Sequence, residues 1–283
     1  MNNYFCGWYF KCQNKEQTLA LIPAVHSFNG KPGASLQIIS NDGYWQIPLS
    51  YRRMQVDKHK PIALYKPSYF SPGGISLHLA TPRLAISGEL FFADFTPLKY
   101  DIMGPFHFVP FMECRHNIFS MRHKVNGEMH INNTSYLFNN SLGYIEGDRG
   151  HSFPKHYLWS HCFFADGSVM LSVAHIPLGP IQFTGIIAVV MLGGKEYRLA
   201  TYLGAKVVSL QNREVVIRQG DLTLTVALLK GAPFPLRAPI LGQMSRTIQE
   251  STACVAYYHL TKGKKTLLEF QSARASFEYE YPS

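Results

Sequence analysis

Short runs of alternating apolar and polar residues, broken by turn residues, recur along the whole chain, and no stretch sustains a 3.6-residue period. A period of two places one face of a segment in a core and the other toward solvent, so the pattern restricts the fold to antiparallel β-structure. Residues 222–228 show the logic: Leu222, Leu224, Val226 and Leu228 share one face, Thr223 and Thr225 the other. In the first half, strands are expected at 4–12, 18–26, 34–40, 43–49, 75–80 and 84–92. Asn41-Asp42-Gly43 and Thr81-Pro82-Arg83 supply two of the turns. Asn126-Gly127, central in 119–131, predicts a hairpin, because both residues accept positive φ in a type I′ turn. In the second half, Ala165-Asp166-Gly167, Gly193-Gly194 and Gly220-Asp221 separate further strand pairs, and strands at 252–260, 266–270 and 275–281 close the chain. Residues 247–251 amount at most to a helical turn. More than about a third of residues should be strand and fewer than about a tenth helix.

Composition narrows the class. Hydrophobic residues at 46% and charged residues at 16% suit a globular protein rather than a disordered one. The 19 Phe and 16 Tyr suit β-structure and apolar pockets. The net charge of +9 reads either as a solvated basic surface or as attraction to anionic lipid or an acidic ligand. No nucleic-acid motif accompanies it, so no nucleic-acid partner is expected. Five cysteines without a C-x-x-C pair argue against a disulfide framework or a structural zinc, and fit a reducing cytoplasm. The N-terminus lacks the pattern of a signal peptide, and the longest apolar run, 186–192, is too short to span a bilayer. Membrane contact is therefore expected to be peripheral, through an anionic surface.

The most polar passage lies at the midpoint. Residues 143–162, GYIEGDRGHSFPKHYLWSHC, gather Glu146, Asp148, Arg149 and three histidines among four aromatics. A plain linker would lack those aromatics, so the passage is expected to wall a site. A break here divides the chain into domains at 1–142 and 143–283. Glu146 and Asp148, two apart, share a face of an extended segment. One of them could instead pair with Arg149 and merely pin the backbone. Glu113, Arg115 and His116 make a second polar cluster; Glu113 and Arg115 share a face if extended, as a catalytic pair or as a structural ion pair. His116, Ser120 and His123 could relay protons or be satisfied core residues. Trp8, Tyr9, Phe10, Tyr144, Phe153, Tyr157 and Trp159 are core by default. His156 and His161 fall on opposite faces of a strand, and no metal is expected.

The run G-Y-I-E-x-D-x-G-x-S-F-P-x-x-Y-x-W resembles the signature of the tocopherol cyclase family. GWYFK at 7–11, GPFHFVPFMECRHNIFSMRH at 104–123, YRLATYLGAK at 197–206 and LRAPILGQMSRTIQES at 236–251 resemble family blocks in family order. The resemblance implies two tandem lipocalin-like antiparallel β-barrel domains, with the ligand space in or between them. It implies cofactor-free, acid-catalysed cyclisation of a prenylated quinol or a related isoprenoid. Such chemistry needs an acid kept protonated by burial, aromatic faces for a developing cation, and an apolar lining. Where the family reads Gln and Asn after the signature, this chain has His161 and Phe163, which points to a substrate other than a tocopherol precursor or to a barrel without catalysis.

The expected site is an apolar cavity walled by 143–159 and by 111–120, meeting where the barrels join. Glu146 is the expected acid, with Asp148 or Arg149 orienting it or the substrate hydroxyl. Arg115 and Arg149 would partner the carboxyls. Glu113, Arg115, His116, Tyr144, Phe153, Trp159 and His161 would contact the ligand. A non-catalytic lipid- or isoprenoid-binding protein is the alternative. No nucleophile elbow, phosphate loop or dinucleotide fingerprint is present.

Overall fold

The computed structural model describes residues 3–110, 112–178 and 181–282. Strand accounts for 72% of them, and none is in an α-helix, so the alternating pattern was a reliable guide to class. No helix among the described residues is long and apolar enough to cross a membrane. The chain separates into two compact units, one comprising Met1–Leu98, Cys114–Phe153 and Leu236–Arg246, the other Lys99–Glu113, Pro154–Pro235 and Thr247–Ser283.

The first unit carries β1 (Tyr4–Gln13), β2 (Thr18–Phe28), β3 (Lys31–Ser40), β4 (Tyr44–Leu49), β5 (Gln55–Val56), β6 (Ala63–Tyr65), β7 (Ser68–Ser71), β8 (Gly74–Thr81), β9 (Leu84–Ala93), β10 (Cys114–Ile131) and β11 (Thr134–Gly150). They form one antiparallel sheet in the order 4-3-2-1-11-10-9-8-7-6-5. Five steps in that order separate β1 from β7, which in a flat sheet would place them roughly 24 Å apart. The rings of Phe10 on β1 and Phe70 on β7 instead lie 5.4 Å apart. The sheet therefore curls around its own core, where Trp8, Phe10, Leu21, Ile38, Phe138 and Ile145 are buried together.

Asn126-Gly127 is not a turn. Both residues lie inside the 18-residue β10, at a register shift, and the chain reverses at Asn132 instead. Gly127 has φ 120, and a Cβ there would sit 2.1 Å from the Glu89 carbonyl oxygen. The glycine serves a close strand crossing, a use with the same local signature as a hairpin. The boundary expected at 142/143 falls within β11, so 143–150 is strand rather than connector.

The second unit carries β12 (Tyr157–Phe164), β13 (Gly167–Leu178), β14 (Ile181–Leu192), β15 (Lys195–Ala200), β16 (Lys206–Gln211), β17 (Glu214–Gln219), β18 (Leu222–Lys230), β19 (Phe234–Ile240), β20 (Gln243–Lys262) and β21 (Lys265–Tyr279), in sheet order 15-14-13-12-21-20-18-17-16 with β19 on β20. The expected turns at Ala165-Asp166, Gly193-Gly194 and Gly220-Asp221 all connect adjacent strands, whereas 247–251 is strand within β20. Here too the sheet closes on itself. Gln219, at the end of β17, accepts from Ala200 N–H at 2.9 Å and donates to the Arg198 carbonyl at 3.1 Å. Those partners lie on β15, seven strands away in sheet order.

Arg198, in the family-like block at 197–206, ties down the segment just before the block at 104–123. Its guanidinium stacks 3.6 Å over the Tyr100 ring, donates to the Tyr100 and Asp101 carbonyls at 2.9 Å, and pairs with Glu196 at 2.9 Å. The planar fork satisfies several acceptors at once, which a lysine could not do. The block at 236–251 contributes a hairpin tip to the first unit. Arg237 N–H donates to Gln37 Oε1 at 2.7 Å, and Gln37 Nε2 donates to the Arg237 carbonyl at 3.0 Å. Gly242, at φ 82, donates to the His151 carbonyl at 2.6 Å.

Candidate functional site

β11 lies between β1 and β10, with Glu146 opposite Tyr9 on one side and Ile118 on the other. Strand alternation puts Ile145 into the first unit's core and turns Tyr144, Glu146 and Asp148 to the opposite face. Gly147 points coreward, where a Cβ would lie 2.5 Å from the Trp8 ring, so the tryptophan packs flat on the strand that carries the acids.

On that opposite face, His116 of β10 stands directly across from Asp148. Its Nδ1 lies 3.0 Å from Asp148 Oδ1, and its Nε2 lies 3.1 Å from Glu146 Oε2. The first contact is a directed hydrogen bond; the second lies off the N–H axis and is chiefly ionic. Tyr144 donates its phenolic proton to Glu146 Oε2, and Cys114 Sγ lies 3.3 Å from Asp148 Oδ1. A chain of polar groups thus runs along two strands, from Tyr144 through Glu146, His116 and Asp148 to Cys114. Tyr144 and Glu146 are buried, while His116 and Asp148 are partly so.

Burial by itself would lower the pKa of His116. The negative charges of Asp148 and Glu146 and their hydrogen bonds outweigh it, and the pKa stands well above the usual histidine value. The imidazole is therefore a cation shared by two carboxylates. Burial first, and then the charge of Glu146, push the Tyr144 phenol well above its usual range, so it stays protonated and donates. The donor atoms of His116, Glu146 and Asp148 lie within 4.8 Å of one another and could hold a metal ion. With each ring nitrogen facing its own carboxylate, they form a proton-bearing bridge.

Of the expected site residues, Glu146, Asp148, His116 and Tyr144 come together. Arg149 does not join them. One residue beyond Asp148, it turns to the other face, donates to the Lys58 carbonyl at 2.6 Å and lies 3.3 Å from His59 Nδ1. Arg115 is opposite Arg149 in the register and shares that face, so neither arginine is placed to partner the carboxylates. His116 takes that role. Glu113 lies outside β10, in the segment grouped with the second unit. The two stretches expected to face each other across a cavity are paired neighbours in one sheet. Phe111, at the start of the second stretch, lies outside the described residues.

Phe153 packs edge-on against Phe5 at 5.4 Å, and its N–H donates to the Pro239 carbonyl at 3.1 Å. It anchors the 236–246 segment. Trp159 and His161 are buried on β12 of the second unit, His161 with its ring 4.6 Å from that of Phe163. His123 is buried against Phe92 and Phe95, and neither ring nitrogen has a hydrogen-bond partner among the described residues. Burial pushes its pKa down to about 3, so it is neutral and makes no relay with His116.

Sequence reasoning missed a second acid pair. Glu250 and Glu278 are buried and directly opposite each other across β20 and β21, and Tyr157 donates to Glu278 Oε2. The alternation in Glu278-Tyr279-Glu280-Tyr281 was the available signal, but nothing local said which acid would be buried.

Two curled antiparallel sheets define a protein of lipocalin-like all-β fold, and the first carries the acid–imidazole–acid bridge. CghA with Sch210972 matches at TM-score 0.60 and 10% identity, over 99% of this chain and 89% of that one. CghA alone matches at TM-score 0.61 and 9% identity, over 100% and 90%. A Nitrosomonas europaea protein provisionally assigned as AttH matches at TM-score 0.60 and 9% identity, over 100% and 94%. At these identities the likeness is one of fold. No family model matches the sequence, and no curated protein does.

Proposed function

We propose that the protein catalyses a cofactor-free, acid-promoted ring closure, or the corresponding hydration, of a prenylated quinol or related isoprenoid. The observation that carries this reading is the bridge of Glu146, His116 and Asp148, with Tyr144 donating to Glu146. A proton held between buried groups can be handed to a weakly basic alkene carbon at lower cost than one taken from water. The alkene π-pair takes the proton, leaving positive charge on the tertiary carbon. The phenol oxygen bonds to that carbon, and its proton returns to the carboxylate. In ring closure substrate and product are isomers, and hydration adds only water, so neither needs an oxidant or reductant. In this scheme the His116 imidazolium stores the proton, which reaches the alkene through Glu146. Asp148 keeps the imidazole charged, and Tyr144 holds the carboxyl in place.

The test is incubation with a synthetic prenylated hydroquinone in D₂O. The expected product has gained one deuterium, on the carbon next to the new ether carbon. Glu146→Gln should retain fold and ligand binding while losing ~10²-fold or more in turnover, as for removal of a general acid. Turnover unchanged in Glu146→Gln removes that residue from the mechanism. A second reading, a non-catalytic isoprenoid-binding protein, draws on His161 and Phe163 packing together where the family has two amides. Binding of the hydroquinone without any isomer formed would favour it.

A further inference from the structure

The positive charge of the chain is concentrated. Residues 51–67, YRRMQVDKHKPIALYKP, hold Arg52, Arg53, Lys58, Lys60 and Lys66 against the single acid Asp57, and so carry four of the nine net positive charges. In the fold they span the 3-10 turn Tyr51–Arg53, the terminal strand β5, the following turn and β6. All five cations are exposed, as is His59. Arg149 adds a further guanidinium from β11, bonded to the Lys58 carbonyl.

None of these cations is paired with a carboxylate among the described residues. Elsewhere on the first unit Lys124 does meet a carboxylate, Asp94 at 2.8 Å. Asp57 does not neutralise it. Its carboxylate accepts from the His59 and Lys60 backbone N–H groups at 2.7 and 2.8 Å, and shapes the turn. Like charges gathered without counter-charges repel, and are favourable only where an anionic partner answers them.

Apolar and aromatic groups share the surface. Leu64 on β6 and Tyr69 on β7 are cross-strand neighbours, both exposed, and Tyr51 is exposed beside Arg52. Arg53 stacks 4.7 Å over the Tyr65 ring and donates to the Lys66 carbonyl at 2.7 Å, which holds this side chain in the patch. Tyrosines with a leucine among lysines and arginines suit the boundary between lipid headgroups and acyl chains. A phosphate backbone alone would give the leucine nothing to bury against.

We propose that this edge of the first unit docks on the anionic surface of a lipid bilayer. The cations supply attraction within a Debye length of the headgroups, and Tyr51, Leu64 and Tyr69 enter the interface. The argument stands apart from the carboxylate site. An isoprenoid substrate would reside in such a membrane, but a non-catalytic protein could dock in the same way.

Sedimentation of the full chain with phosphatidylcholine vesicles containing 30% phosphatidylserine, against pure phosphatidylcholine, tests it. Binding is expected only to the anionic vesicles, and should fall at least tenfold between about 50 and 500 mM salt. Arg52→Glu/Lys58→Glu/Lys60→Glu should abolish it, and Leu64→Ser/Tyr69→Ser should weaken it several-fold without a change of charge. Lys264→Glu/Lys265→Glu, at the exposed turn and the start of β21, should leave it intact, with circular dichroism checking each fold. Wild-type binding by either patch variant, equal loss in Lys264→Glu/Lys265→Glu, or salt-dependent binding to duplex DNA in place of vesicles would each overturn the proposal.

Discussion

His116 and Asp148 face each other directly across β10 and β11, with Nδ1 and Oδ1 at 3.0 Å. Because this pairing and the one to Glu146 raise the pKa of His116 in the fold, its stabilisation is fully present below the unfolded value of about 6.5. It is lost as pH rises through the folded value. His116→Gln removes the cation and leaves the buried Glu146 and the partly buried Asp148 facing a neutral amide. It should destabilise the protein by about 3 kcal/mol at pH 6.5, with the gap narrowing at alkaline pH. Urea unfolding of both proteins between pH 6 and 9 measures this; a gap that does not depend on pH would refute the bridge.

His123 carries the opposite sign. Its folded pKa of about 3 lies below the unfolded value, so stability is lost as pH falls beneath about 6.5, because the unfolded chain binds the proton first. Between pH 6.5 and 5 the loss should be about 2 kcal/mol from this residue. His123→Phe, which keeps a ring against Phe92 and Phe95, should remove that acid slope. An unaltered slope would show that other groups cause it.

Gln219 joins the two ends of the second sheet through Ala200 and Arg198. Gln219→Leu leaves one backbone donor and one acceptor without partners and should cost about 2 kcal/mol. Faster amide exchange at Ala200, read with the denaturation midpoint, separates loss of this closure from general loosening.

None of the five cysteines is in a disulfide, and of the five Cys114 alone is not buried. Burial pushes the Cys6 thiol up to about 11 and Cys12 higher still. Thiolates react and thiols do not. A thiol reagent at pH 8 should therefore modify one group quickly in the native protein and five after denaturation. Two or more fast groups would contradict the burial of the other four.

The sequence by itself determined the class of fold and most of its turns. Strand period and turn chemistry are local: Leu222 to Leu228 alternate whatever they pack against, and Gly193-Gly194 reverses the chain by its own backbone freedom. The shared face of Glu146 and Asp148 was equally legible. Arg149 was expected beside them, although its odd spacing from Asp148 turns it to the other face. Tertiary structure alone decided the rest, because register and curl depend on residues far apart in sequence. It placed His116, distant in sequence from both, between the two acids. It made Asn126-Gly127 a strand crossing rather than a hairpin, through the approach of Glu89. It buried Glu250 against Glu278, a pairing set by register, which no window of a dozen residues contains.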